Sequence, residues 1–275
     1  MPIAHIANLW SLTGHPSLAN EWSLARKIRA VADAGFDGIT TRLTPEHREL
    51  AERHGLRHLL GFISSSDPAE FAACIRAQKE GGAVHINVQM DDHDTPPGVA
   101  VTHWLRMERE AERIGGVVVS LEVHRDTCTE TPEKTYEIAD RYHAKTRGQL
   151  IKLNFDFSHL ACVKHLAPAD YASRLLTHPE LVQHSEQCHF RPFNGHHCQV
   201  PVTHRGALTP EVKDYLVFAR EVMRVWKAAP ANAERTLFAC PEMGPYGGYN
   251  VTGFPPAWPD AVILRGELAK TWKRA

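Results

Sequence analysis

No stretch of the 275 residues approaches the roughly 18 uninterrupted apolar residues of a membrane-crossing helix. The opening Met1-Pro2-Ile3-Ala4-His5 lacks the basic-then-apolar plan of a secretory leader. An excess of charge of either sign is also missing: Lys and Arg number 31, Asp and Glu 32, and the net charge is −1. Such a chain projects no long-range field to gather DNA, RNA or anionic lipid, so neither a nucleic acid nor a membrane is expected as a partner. The cysteines Cys74, Cys128, Cys162, Cys188, Cys198 and Cys240 form no CxxC pair. They read as reduced, mostly buried thiols rather than a disulfide framework or a thiolate zinc site, and point to the cytoplasm. No GxxxxGK[ST] loop occurs, and Asn8-Leu9-Trp10-Ser11-Leu12-Thr13-Gly14 offers no phosphate-binding glycine turn after the first apolar run.

What the chain does have is a 43% hydrophobic fraction, enough for a substantial core, and 18 histidines, which raise the expectation of metal or proton chemistry. Short apolar runs recur at 3–9, 37–41, 59–63, 84–89, 117–123, 150–155, 183–190 and 236–241. Several are β-branched and free of charge, as in Val117-Val118-Val119-Ser120-Leu121, which is how strands buried on both faces read. Amphipathic segments lie between them. Thr44-Pro45-Glu46, Asp67-Pro68-Ala69-Glu70, Thr131-Pro132-Glu133 and Thr209-Pro210-Glu211 open helices with a capping side chain and a proline in the first turn. Further helices are expected at 103–115, 168–176 and 259–272, the second of them short. Eight strands, each followed by a helical stretch, predict a single-domain (β/α)8 barrel, a TIM barrel spanning residues 1–275. An open doubly wound sheet is the competing arrangement.

In such a barrel the site lies at the C-terminal strand ends. The fifth strand ends Glu122-Val123-His124-Arg125, the sixth Asn154-Phe155-Asp156-Phe157-Ser158-His159, the seventh His189-Phe190-Arg191, and the eighth Pro241-Glu242-Met243. Neighbouring strands stand about 4.8 Å apart, so Glu122, Asp156, His189 and Glu242 can converge. Three carboxylates brought together repel unless a cation neutralises them. Three oxygen donors with one imidazole suit Mn²⁺, with Mg²⁺ or Co²⁺ tolerable.

Glu122-x-His124 with Thr129-Glu130-Thr131-Pro132-Glu133 after it, Asp156-x-x-His159, His189-x-Arg191 and a last-strand Glu242 together resemble the xylose-isomerase-like barrel superfamily, the sugar phosphate isomerase/epimerase group. The resemblance covers nearly the whole chain. It implies one divalent metal on Glu122, Asp156, His189 and Glu242, proton exchange by Glu122 and Glu242, and substrate contacts from His159 and Arg191. It also implies a small carbohydrate substrate and a tendency to form homo-oligomers. The chain departs from the epimerases in the spacing of Arg191 after His189, in the segment 193–199, and in the Gly- and Tyr-rich segment 244–250.

The expected chemistry is removal of a proton α to a carbonyl, giving a metal-stabilised enediolate, with reprotonation completing an isomerisation or epimerisation. Loss of a β-hydroxyl from the same intermediate makes the protein a lyase or dehydratase acting on a 3-keto glycoside or keto-inositol. A metal-free accessory barrel is the reading from another class. Plainer roles stand beside the chemical ones. Glu122 could pair with an arginine, Asp156 could cap a helix, and Arg191 could pair with Glu186 or Asp156. His124 could orient a carboxylate or touch substrate. The pair His196-His197 reads as loop rather than a second metal site, and Cys188 faces away from the side that His189 faces. Trp10, Phe190, Phe193, Tyr246 and Trp258 are candidates for an apolar wall.

Overall fold

The computed structural model describes residues 1–275. In chain order the strands are β1 (Ile3–Asn8), β2 (Gly38–Thr40), β3 (His58–Ser65), β4 (His85–Met90), β5 (Val118–Val123), β6 (Leu153–Phe155), β7 (Gln187–His189), a small antiparallel pair β8 (Thr203–His204) and β9 (Ala207–Leu208), and β10 (Leu237–Cys240). All but β8 and β9 close into one parallel barrel in the order β1-β10-β7-β6-β5-β4-β3-β2. The chain is therefore the predicted (β/α)8 barrel, and the open sheet is excluded. No helix is long and apolar enough to cross a membrane.

The helices are α1 (Leu24–Asp33), α2 (Pro45–Arg53), α3 (Phe71–Glu80), α4 (Pro97–Ile114), α5 (Pro132–Lys145), α6 (Phe157–Val163), α7 (Tyr171–Leu175), α8 (Pro179–His184), α9 (Pro210–Lys227) and α10 (Ala257–Arg274). In α9 the Thr209 side chain accepts from the Val212 amide and Pro210 opens the first turn. Val212, Tyr215, Phe218, Ala219, Val222, Met223 and Trp226 then recur at three- and four-residue intervals and bury one stripe on the barrel. The larger of these side chains contribute about 1.5–3 kcal/mol each by leaving water. α4 begins six residues earlier than its apolar periodicity suggests, because Pro97 supplies the first-turn position.

The sixth and seventh units differ most from expectation. A helix follows β6 at once, since the Asp156 side chain accepts from the Ser158 amide and caps α6. The expected seventh strand from 183 is helical up to His184 and extended only from Gln187. Pro179 starts α8, and the Trp226 indole bonds the Ser185 carbonyl to end it. A segment inserted between β7 and α9 carries the β8–β9 pair.

Inside the barrel, Ala4, Ile6, Leu60 and Cys240 form an apolar floor with Phe238 against it. Above that floor the inward positions turn polar. Gly38 shows how tightly the wall is drawn: a Cβ there would stand 2.0 Å from the His58 carbonyl oxygen on β3. Gly38→Ala is expected to destabilise the barrel by about 3 kcal/mol, the upper range for overpacking. Urea denaturation reads the loss, and an unchanged midpoint would show that β2 yields freely.

Candidate metal and catalytic centre

Every second residue of a strand faces the barrel axis, and four strand ends use that periodicity to present chemistry at one level. Glu122 is on β5, Asp156 one residue past β6, His189 closes β7, and Glu242 lies two residues past β10. All four are buried, and one ligand-capable atom from each falls within 4.8 Å of the others. Local bonds hold the strand ends in place. The Thr129 hydroxyl donates to the Glu122 carbonyl at 2.6 Å and accepts from the His124 amide, folding the loop after β5 over its own strand.

The hydrogen bonding around the quartet is two-sided. Asn87 Nδ2 donates to Glu122 Oε2 at 2.6 Å, and Asn8 Nδ2 donates to Glu242 Oε1 at 2.6 Å. Each glutamate is thus gripped by one asparagine on a different strand. Asn154 Nδ2 donates to Asn87 Oδ1 at 2.8 Å and lies 3.0 Å from His189 Nε2, which extends the chain of amides to the imidazole. Arg191 donates through Nε to Asp156 Oδ2 at 3.0 Å and through Nη2 to Glu242. Of the alternatives, then, Arg191 pairs with Asp156 and not with Glu186. Glu186 bonds Lys152 at 2.6 Å on β6's approach.

The electrostatics follow from three acids in a dry place. Burial pushes the Glu122 carboxyl up, but the charges of His189 and His124 outweigh it and hold it below the ordinary carboxylate range. Burial likewise opposes ionisation of Glu242, yet Arg191 and His189 bring it down to about 2. His189 goes the other way: burial opposes its charge, and Glu242 and Glu122 raise it well above its usual value. Its Nδ1 stands 3.0 Å from Glu122 Oε1 and 3.0 Å from Glu242 Oε2, without a well-aligned hydrogen bond to either. A buried nitrogen between two carboxylates, with no directed bond of its own, fits the place of a metal ligand. The donor set itself, three carboxylates and an imidazole with no thiolate, suits a hard divalent cation.

The remaining candidates separate. His124 is half-buried, lines the cavity above the quartet and lies 3.5 Å from the Tyr249 hydroxyl. His159 is fully buried, with its ring 4.1 Å from that of His124 and its Nε2 3.4 Å from Asp156 Oδ2. It does not line the cavity, so the structure gives it no direct route to a substrate; burial brings its pKa down to about 4. Asp156 both caps α6 and belongs to the quartet, so the plainer and the chemical reading hold together. Trp10 and Tyr246 line the cavity, whereas Phe190 and Phe193 are core and Trp258 stacks on Phe36. His196 and His197 are exposed, their amides bonded to Asn194 Oδ1. Cys188 faces the outer layer, where burial pushes its thiol up to about 12.

Asn8, Asn87, Gln187 and Tyr249 were not singled out from the sequence. Polar residues at 85, 87 and 89 alternate with apolar ones along β4, the one local sign that its inward face is not core. Asn87→Ala leaves Glu122 Oε2 without its donor and Asn154 Nδ2 with His189 Nε2 alone. It is expected to weaken divalent-metal binding by about 10- to 100-fold, the usual cost of losing a residue that orients a ligand. Manganese titration followed by electron paramagnetic resonance checks it; unaltered affinity would mean Asn87 is mere filling.

Above the quartet opens a cavity of about 590 Å³ that Glu122, His189, Arg191 and Glu242 line from below. Trp10 and Tyr249 pack edge to face at 5.3 Å along one wall. Gly244 permits this: a Cβ there would meet the Trp10 ring at 2.3 Å. Gln199 of the inserted segment bonds Gly244 and Tyr249 backbone atoms and pins that wall.

No family model and no curated protein matches the chain. Among solved structures it is similar over 98% of its length to a Rhodospirillum rubrum ATCC 11170 protein assigned as a xylose isomerase, at 12% identity, 99% coverage of that chain and a TM-score of 0.63. It is similar to a sugar phosphate isomerase/epimerase from Parabacteroides distasonis ATCC 8503 at 10% identity, 98% and 96% coverage and a TM-score of 0.57. AsbF from Bacillus anthracis, assigned as a 3-DHS dehydratase of petrobactin synthesis, matches at 15% identity, 97% and 98% coverage and a TM-score of 0.57. At these identities the likeness establishes the shared barrel fold.

Proposed function

We propose that the protein is a divalent-metal-dependent isomerase or epimerase of a small keto-polyol. The observation that carries this is the convergence of Glu122, Asp156, His189 and Glu242 beneath a cavity of sugar size. These four residues would hold the ion, Mn²⁺ by the character of the donors, with Mg²⁺ or Co²⁺ able to replace it. The bound cation supplies an electrophile for a substrate carbonyl and for the negative charge that grows on its oxygen. Glu122 and Glu242 reach the cavity from strands on either side of His189 and are the two groups placed to take and return a proton on carbon. Asn87 and Asn8 hold those carboxylates by one oxygen each; the second oxygen of Glu122 stands 3.0 Å from His189 Nδ1, and that of Glu242 accepts from Arg191 Nη2. Arg191 keeps Asp156 and Glu242 ionised.

Elimination is the second reading, and one observation favours it. The His124–Tyr249 pair at the cavity wall is a hydrogen-bonding unit outside the quartet that can assist departure of a β-hydroxyl or aglycone after the same proton abstraction. Metal analysis of the purified protein, then incubation with ketoses, inososes and 3-keto glycosides in D₂O with Mn²⁺, tests both. About one equivalent of divalent metal and deuterium at the carbon α to the carbonyl are expected. A rearranged or inverted sugar marks the first reading, and a released water or aglycone the second. Metal-free protein that binds no manganese overturns both.

A further inference from the structure

The cavity carries more positive charge than the quartet uses. Arg42, Arg125 and Arg191 line it, against the carboxylates of Glu122 and Glu242. Arg191 is 2% exposed and engages Asp156 and Glu242 through Nε and Nη2, but its Nη1 is buried with no acceptor. Arg191 pairs with Asp156 and Glu242, whereas Arg42 and Arg125 make no ion pair. Half-buried Arg125 lies with its guanidinium carbon 4.4 Å from the centre of the Tyr249 ring, and Arg191 lies 4.2 Å from the same ring. A guanidinium stacked on a ring by its face keeps its N–H groups free along its edge, which is the geometry that receives a carboxylate or phosphate. Arg42, exposed on the far side of the barrel mouth beyond β2, rests against Phe62 at 5.6 Å.

Charge balance points the same way. Glu122, Asp156 and Glu242 match the three arginines in number, so a dication held by the quartet leaves two positive charges unanswered. A neutral ketose does not answer them; an anion does, in a partly dry cavity where the attraction is weakly screened.

We infer that the substrate carries an anionic group, a carboxylate or a phosphate monoester, received by Arg125 and the free Nη1 of Arg191 beside Tyr249. Arg42 adds a screened attraction from across the mouth. The keto-polyol body of the substrate rests on the function proposed above; the anionic group rests on the arginines alone.

Calorimetric titration of the manganese-loaded protein with D-fructose, D-fructose 6-phosphate and D-fructuronate tests this. At least one charged probe is expected to bind about tenfold or more tightly than fructose, the size of a charge-assisted hydrogen bond, and which one does so separates phosphate from carboxylate. In Arg125→Gln the ratio of charged to neutral affinity falls below about threefold, and in Arg42→Gln it falls less and loses part of its salt dependence. Equal affinities in the wild type, no binding of either charged probe at ~10 mM, or a preference that survives Arg125→Gln overturns the inference. Manganese content is measured in the same samples. A charged-probe preference without bound manganese counts against the metal reading alone.

Discussion

Glu242→Gln is expected to abolish turnover and leave the barrel standing. The substitution keeps the shape of the side chain and one oxygen, which can accept from Arg191 or from Asn8 Nδ2 but not from both, since the two donate to different oxygens of Glu242. It removes a metal-binding charge and one of the two groups able to exchange a proton with carbon. Loss of a positioned acid or base alone costs about 10²- to 10⁴-fold, so kcat/KM should fall by about 10³-fold or more. Asp156 stays paired with Arg191, so the arginine is not stranded and the melting temperature should move by no more than about 3 °C. Deuterium exchange into substrate gives the sharper reading, because it reports proton abstraction even where product release is slow. Activity of Glu242→Gln within tenfold of the wild type would falsify the proton-exchange mechanism.

Arg191→Ala should show the largest effect on stability. Arg191, Asp156 and Glu242 are all buried. Removing the guanidinium leaves two buried carboxylates without their main counter-charge, a change that ordinarily costs about 3–5 kcal/mol. The loss should depend on metal. A dication binding the same carboxylates stabilises the folded state by mass action, and it meets no competing guanidinium in the variant. Urea midpoints in EDTA are therefore expected to drop sharply for Arg191→Ala, and added Mn²⁺ should recover more for the variant than for the wild type. Arg191→Lys restores the charge without the two-pronged reach and should fall between. Equal midpoints for wild type and Arg191→Ala in EDTA would show that His189 alone balances the acids.

Much of the fold can be read from local pattern. The β-branched run at Val118–Val123 and the Thr-Pro starts of α5 and α9 are decided within a few residues. Strand-end position likewise points to Glu122, Asp156, His189 and Glu242, because the two-residue period sets which side chains face the axis. The start of α6 is legible only as one of two readings of Asp156, since a carboxylate at a strand end can cap a helix or ligate a metal, and here it caps α6. The true start of β7 was hidden by α8, whose six residues are too short to display helical periodicity.

Sequence by itself determined that the chain makes eight strand–helix units, and that the last four strands end in three acids and an imidazole; both follow from spacing along one segment. Only the tertiary structure decided that Asn8 and Asn87 grip the two glutamates, that Arg191 spans Asp156 and Glu242, that His159 lies sealed beneath His124, and that Tyr249 backs two guanidiniums. Those pairings join residues from 35 to 234 positions apart. They depend on barrel closure and on how loops drape over its rim, which no local periodicity encodes.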